Sequence, residues 1–258
     1  MKNIFNNIKG LLIDLDGVLS IGNKAIIKAA ETIQLIKEKK ITFRIATNYT
    51  TLSRESLYLK LRSLGIRIEK DDIISAAYAG VLKLRSLGNP SCELFIKEDT
   101  KGDFQEFLID HISPEYIIIG DLGNEWRFDI INNIFNKVLN GSKIIALHKG
   151  RYFQTEKGLQ IDTGAFIKAI EYATSTTSEV IGKPEKTFFE LVLNEMNIKA
   201  SESIMIGDDI VNDIQGAQLS GCKGVLVKTG KYRKEIINKS SIKPDLTISS
   251  FSEIIKFL

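Results

Sequence analysis

Little in this chain of 258 residues points to a disulfide scaffold, a metal knuckle or a nucleic-acid surface. There are two cysteines, Cys92 and Cys222, without metal-ligand spacing, so both are expected to be reduced thiols. The two histidines, His111 and His148, have no Cys or Asp at ligand spacing and are expected to be structural. The net charge is only +3. Lys37, Lys39 and Lys40 gather at a helix end, where they favour the dipole. That is no nucleic-acid footprint, and no nucleic-acid partner is expected. No apolar run approaches the roughly 18 residues of a membrane span, so no membrane partner is expected either. Lys2 and Lys9 precede no signal-type apolar segment, which implies a cytoplasmic protein. No internal repeat or low-complexity tract is visible.

What is present is an α/β rhythm punctuated by acids. Leu11-Leu12-Ile13-Asp14-Leu15-Asp16-Gly17-Val18 is an apolar run that ends in two aspartates and a glycine. The run reads as a buried parallel strand. The aspartates then belong just past its carboxyl end, where open α/β sheets place ligands. One carboxylate there can act as nucleophile and the other can move protons. An Asx-type turn is the plainer alternative for this stretch alone. Three later strands end in a similar way. Phe43 to Asn48 ends in Thr47 and Asn48, Val180 to Pro184 in Gly182-Lys183-Pro184, and Ile204 to Asp209 in Asp208-Asp209 with Asp213 beyond. Singly these are a cap, a solvated loop lysine and a helix N-terminus. In this order they make one constellation.

The spacing sets the domains. Thr47 follows Asp14 by 33 residues, room for one helix, predicted over Ala25 to Lys40. A second helix is predicted from Ser53 to Leu64, stopped by Gly65. Lys183 follows Thr47 by 136 residues, far more than a core connection uses. The chain therefore reads as a doubly wound, Rossmann-like parallel-sheet core, residues 1–79 and 178–258, with a smaller α/β domain inserted over 80–177. Within the insert, strands are predicted at Leu94 to Ile96, Tyr116 to Ile119 and Lys143 to Leu147. Helices are predicted at Lys101 to Asp110, Arg127 to Leu139 and Gly164 to Ala173. Thr174 to Ser178 reads as a candidate hinge.

These segments resemble the four motifs of the haloacid dehalogenase-like hydrolase superfamily, mostly phosphatases. Asp14 to Val18 matches the first, Thr47 the second, Lys183 the third, and Gly207-Asp208-Asp209 with Asp213 the fourth. The resemblance covers nearly the whole chain. It is strongest to the branch with NagD-like phosphatases, phospholysine phosphohistidine inorganic pyrophosphate phosphatase and the haloacid dehalogenase-like hydrolase domain-containing proteins. Gly182 to Phe189, Met205 to Asp209 and Leu226 to Tyr232 carry it almost letter for letter. In that branch an α/β cap is inserted after the second motif.

The resemblance implies a Mg²⁺-dependent phosphatase that acts on a small phosphate ester through an aspartyl-phosphate. Asp14 is expected as nucleophile and Asp16 as acid and base. Asp14, Asp208 and the Asp16 backbone carbonyl are expected to hold Mg²⁺, with Asp209 and Asp213 behind them. Asp14, Leu15, Asp16, Thr47, Asn48 and Lys183 are the expected substrate-binding set. Relatives that stop at the aspartyl-phosphate carry threonine at position 16, and carbon-halogen hydrolases lack the metal acids; this chain has Asp16 and Asp208. A response-regulator receiver domain shares the acids, threonine, lysine and Mg²⁺ but is about half this length, and a binding-only pseudoenzyme does not require all four motifs. Trp126, Arg127, Phe128, Lys149, Gly150, Arg151 and Tyr152 are candidate leaving-group contacts or ordinary surface. A homodimer is left open.

Overall fold

The computed structural model describes residues 4–155 and 158–258. Lys2, used in the N-terminal reading, lies outside them. Two compact units are present. The first comprises Met1–Thr47, Glu55–Ile74 and Lys183–Leu258; the second comprises Asn48–Arg54 and Ser75–Gly182.

The first unit is built on a six-stranded sheet. Its strand order is Leu246–Ile248, Lys223–Val227, Ser203–Gly207, Gly10–Ile13, Thr42–Thr47, Ile73–Ser75. The pairings from Leu246–Ile248 across to Thr42–Thr47 are all parallel. Leu11, Leu12 and Ile13 are fully buried, as are Ile204, Met205 and Ile206 beside them, because a central parallel strand is covered on both faces. Helix Ala29–Glu38 buries Ala29, Thr32, Ile33 and Ile36, one stripe at three-to-four residue spacing. Helix Lys186–Met196 buries Phe188, Phe189, Val192, Leu193 and Met196 and ends at Asn197, with φ 52°. Truncating a buried Phe such as Phe188 costs about 3–5 kcal/mol. Three of these strands, Gly10–Ile13, Thr42–Thr47 and Ser203–Gly207, thus end at polar clusters on one edge of the sheet, whereas the strand expected before Lys183, Glu179–Val180, pairs in the other sheet.

The second unit has its own four-stranded parallel sheet in the order Glu179–Val180, Lys143–Ala146, Tyr116–Ile119, Cys92–Phe95. Its core packs Ile117, Ile119, Ile144 and Ala146 against Ile134 and Val138 of helix Phe128–Leu139 and Ile167 and Ile170 of helix Thr163–Thr174. An antiparallel strand pair, Tyr152–Thr155 with Gly158–Ile161, has no counterpart in the sequence reading. This unit reaches beyond 80–177 on both sides. Helix Ala76–Ser86, capped by the Ser75 hydroxyl accepting from the Tyr78 N–H, belongs to it, as does strand Glu179–Val180.

The helix expected over Lys101 to Asp110 is not formed. Helical structure runs Glu98–Lys101 and Gly102–Phe104 instead. Asp99 and Asp103 accept from the Ser53 and Arg54 backbone N–H groups, which fixes this turn from its side chains. The Leu108 carbonyl and Asp110 N–H then pair with Cys92, so the later residues lie along a strand instead of continuing the helix. The proposed hinge is tied down at its end: Ser178 is buried and donates to Glu171 through both its N–H and its hydroxyl.

Candidate active site

The strand Gly10–Ile13 hands Asp14 to the sheet edge, where its N–H donates to the Ile206 carbonyl of the neighbouring strand. Gly17 adopts φ 85°, in the left-handed region, and the chain turns back so that the Leu15 carbonyl accepts from Leu19 and Ser20. Lys183 reaches two strand ends and a helical turn. Its Nζ donates to Asp14 Oδ1 at 2.7 Å, to the Ala46 carbonyl at 2.9 Å and to Asp213 Oδ1 at 2.6 Å. Lys183, Asp14, Asp208 and Asp213 are all buried. Asp213 comes from the π-helical turn Ile210–Gln215. Its second oxygen accepts from the Asp209 N–H at 3.0 Å.

The charges do not balance. One buried lysine faces three buried acids. Burial pushes the Asp14 carboxyl above the ordinary carboxylate range; Lys183 pulls it back, while Asp208 and Asp16 add to the rise. Burial lifts Asp208 to about 6 against the Lys231 N–H, with Asp213 adding repulsion. Burial likewise lifts Asp213 to about 6 against Lys183. Burial works against the charge on Lys183, but Asp14 and Asp213 outweigh it and hold the ammonium above the ordinary lysine range. Such a surplus of like charge costs free energy unless a cation is supplied.

The donor set fits a hard divalent cation. Asp14, Asp208 and Asp213 can each offer a carboxylate oxygen, and these atoms lie within 4.8 Å of one another. Carboxylate oxygens without nitrogen or sulfur suit hard cations such as Mg²⁺, Ca²⁺ or Mn²⁺. Asp213 is the least free of the three, since each of its oxygens already accepts a hydrogen bond.

Known proteins match this arrangement over most of the chain. A family model described as haloacid dehalogenase-like hydrolase matches residues 11–107, and a related one described as HAD-hydrolase-like matches residues 180–254. The haloacid dehalogenase-like hydrolase domain-containing protein 2 of Bos taurus is 36% identical over 95% of this chain and 93% of its own. The phospholysine phosphohistidine inorganic pyrophosphate phosphatase of Danio rerio is 34% identical over 95% of this chain and 92% of its own.

The chain belongs to the haloacid dehalogenase-like hydrolase family.

Solved structures agree on the fold. A p-nitrophenyl phosphatase from Archaeoglobus fulgidus superposes with a TM-score of 0.90 at 26% identity, over 97% of this chain and 99% of its own. NagD from E. coli K-12 gives 0.87 at 22% identity, over 95% and 98%. The enzyme class expected from the sequence, a phosphatase of this family, stands on these matches.

The structure places the remaining candidate residues of this hydrolase as follows. Asp16 lies in the turn after Asp14 and bridges to Ser20. The Leu15 side chain is wholly buried, so only its backbone can meet a ligand. Thr47 ends strand Thr42–Thr47, buried, one residue past the carbonyl that Lys183 holds. Asn48 opens the second unit, with its Oδ1 close to Gly182. Asp209 caps its helical turn by accepting from the Val211 and Asn212 N–H groups.

Three of the leaving-group candidates are engaged within the second unit. Lys149 donates to Glu171 at 2.5 Å, Trp126 stacks on Phe166 with centroids 4.6 Å apart, and Arg127 pairs with Asp129. Phe128, Arg151 and Tyr152 are exposed. A Cβ on Gly150 would overlap the Asp162 carboxylate. Each histidine has found an acid: His111 lies 3.1 Å from Glu93 and His148 3.6 Å from Asp162. Sequence spacing missed both, because the partners come from distant segments. Asp213, expected behind the metal acids, accepts from Lys183 Nζ and from the Asp209 N–H.

Proposed function

We propose that this hydrolase is a Mg²⁺-dependent phosphatase that cleaves a small phosphate monoester through an aspartyl-phosphate on Asp14. The observation that carries the reading is the three-way grip of Lys183 on Asp14, Asp213 and the Ala46 carbonyl beside an uncompensated Asp208. That is a buried site short of positive charge, suited to an anion only when a cation comes with it.

In this reading Lys183 occupies Asp14 Oδ1 and leaves Oδ2 to attack phosphorus. The P–O bond to the leaving group breaks as the Asp14 Oδ2–P bond of the acyl phosphate forms, and Asp16 gives its proton to the departing oxygen. Asp16, now a carboxylate, takes a proton from water, which attacks the same phosphorus and releases inorganic phosphate and Asp14. The Thr47 hydroxyl, the Asn48 amide, the Leu15 backbone and Lys183 bind phosphoryl oxygens, and positioning with charge neutralisation provides most of the acceleration. Asp14, Asp208 and the Asp16 carbonyl would hold Mg²⁺, which supplies positive charge to the phosphoryl group. Asp213 keeps Lys183 in place and Asp209 shapes the turn that presents Asp208. The substrate is a small phosphorylated metabolite, as the phosphatase relatives suggest, and a cytoplasmic setting suits two buried free thiols.

The test is rapid acid quench with ³²P-labelled substrate. Wild type should trap an acid-stable, base-labile phosphoprotein, and Asp14→Asn should trap none and lose about 10⁴-fold or more in kcat. A labelled phosphoprotein in Asp14→Asn would place the nucleophile elsewhere.

A further inference from the structure

One sequence segment, Leu226 to Tyr232, has no part in the chemistry above. It leaves strand Lys223–Val227, next in the sheet to Ser203–Gly207, whose end carries Asp208. Its turn touches Asp208 and the Gly17 turn at three points. The Thr229 hydroxyl donates to the Gly17 carbonyl. The Lys231 N–H donates to Asp208 Oδ2 at 2.6 Å. Gly230, at φ 58°, lies against the same oxygen: a Cβ there would overlap Asp208 Oδ2 and come within 2.6 Å of Gly17 Cα. A Cβ on Gly17 would overlap Asp208 Oδ2 as well. The carboxylate is therefore held between two glycines that have no space for a side chain, with one oxygen fixed by a backbone donor.

We propose that Thr229, Gly230 and Lys231 form a positioning clasp that locks the Asp208 carboxylate in the orientation needed to hold the divalent cation. The proposal rests on the reading of Asp208 as a metal-holding acid. The clasp ties the ends of three adjacent strands together: Thr229 fixes the turn to the one that follows Gly10–Ile13, and Lys231 fixes Asp208 to the turn. With Oδ2 engaged by an N–H, Oδ1 is the oxygen left to face a cation. The backbone and the glycine surfaces provide the grip. The Lys231 ammonium, 3.2 Å from Asp209 Oδ2 but 65% exposed, adds little. A carboxylate free to rotate would have to be ordered each time the cation binds, so loss of the clasp should appear in metal affinity before any substrate is present.

Mn²⁺ binding to the substrate-free protein, read by electron paramagnetic resonance, tests this apart from turnover. Gly230→Ala should weaken Mn²⁺ binding at least tenfold. Gly22→Ala is the matched control, because Gly22 has the same φ of 58° but open space where its Cβ would be. It carries the same backbone strain and should leave Mn²⁺ binding within twofold. Thr229→Val should weaken binding about three- to tenfold and Thr229→Ser should restore it within twofold, with circular dichroism confirming the fold. If Gly230→Ala does not fold, the Val and Ser pair at position 229 decides. Exchange of the Lys231 amide in metal-free protein is the second readout. It should be slow in wild type and at least tenfold faster in Asp208→Ala. Gly230→Ala and Thr229→Val that bind Mn²⁺ like wild type would overturn the clasp. If wild type binds no Mn²⁺, the metal reading of Asp208 is what fails, and the Lys231 amide then decides on the clasp itself: slow exchange supports it and unprotected exchange overturns it.

Discussion

Each unit of this hydrolase sets a lysine against carboxylate, buried for Lys183 and half-buried for Lys149, and the two clusters are opposites. In the second unit Lys149 donates to Glu171 at 2.5 Å, Lys168 approaches the other Glu171 oxygen at 2.8 Å, and Ser178 donates twice more. One acid is served by two cations and two neutral donors. Burial pushes Glu171 up, but those partners outweigh it and hold it down at about 2. In the first unit one lysine serves Asp14 and Asp213, while among the described residues Asp208 accepts from the Lys231 N–H, and the last two acids stand at about 6. A saturated cluster has nothing left to bind and fastens a helix to its neighbour. A cluster with surplus negative charge is incomplete by itself, and that separates a site from a staple.

The largest expected contrast lies between the two lysines. Lys183→Met should lower kcat/KM for 4-nitrophenyl phosphate by about 10² or more, because a lost charge contact in a water-poor site costs several kcal/mol. Lys183→Arg should recover part of this at most, since the guanidinium is larger and planar. Lys149→Met should change kcat/KM far less and instead lower unfolding free energy by about 1–3 kcal/mol, read by urea denaturation. Equal losses of kcat/KM from the two substitutions would erase the distinction.

A smaller effect is the opposite pH response of the two clusters in metal-free protein. Asp208 is more readily protonated folded than unfolded. Between about pH 4 and pH 6 the native state therefore holds the extra proton, and stability falls as pH rises. Asp208→Asn should match wild type near pH 4 and exceed it by roughly 2–3 kcal/mol above pH 6.5. Glu171 behaves in the reverse sense. Its stabilisation is complete above its unfolded value near 4.5 and is lost as pH falls toward 2. The deficit of Glu171→Gln should therefore shrink on acidification below pH 4.5. Parallel pH profiles for the two variants, by thermal midpoint, would contradict the assigned charges.

Much of the core was legible because it follows from local pattern. Leu11 to Asp16 and Ile204 to Asp209 read as buried strands ending in acids, since a fully apolar run can only lie inside a parallel sheet and its acids only outside. The register that lets Lys183 touch Asp14 and Asp213 at once was not legible, because residues 169 and 30 positions apart meet only through the sheet. The helix expected at Lys101 to Asp110 failed for a related reason: Asp99 and Asp103 bind the N–H groups of Ser53 and Arg54, far away in sequence, and tertiary contact overrode a helical period. Helix Ala76–Ser86, with Ala76, Ala77, Ala79, Gly80, Val81, Leu82 and Leu84 all buried, lacks a one-sided stripe, so period alone gave little sign of it.

The most direct test of the central claim is a thermal melt of EDTA-stripped protein at pH 7 with and without Mg²⁺. If the first cluster is a site short of one divalent cation, millimolar Mg²⁺ should raise the midpoint by several degrees in wild type and in Glu171→Gln, and by almost nothing in Asp208→Asn. An unchanged wild-type midpoint, or an equal rise in Asp208→Asn, would show that the surplus acids are not waiting for a metal.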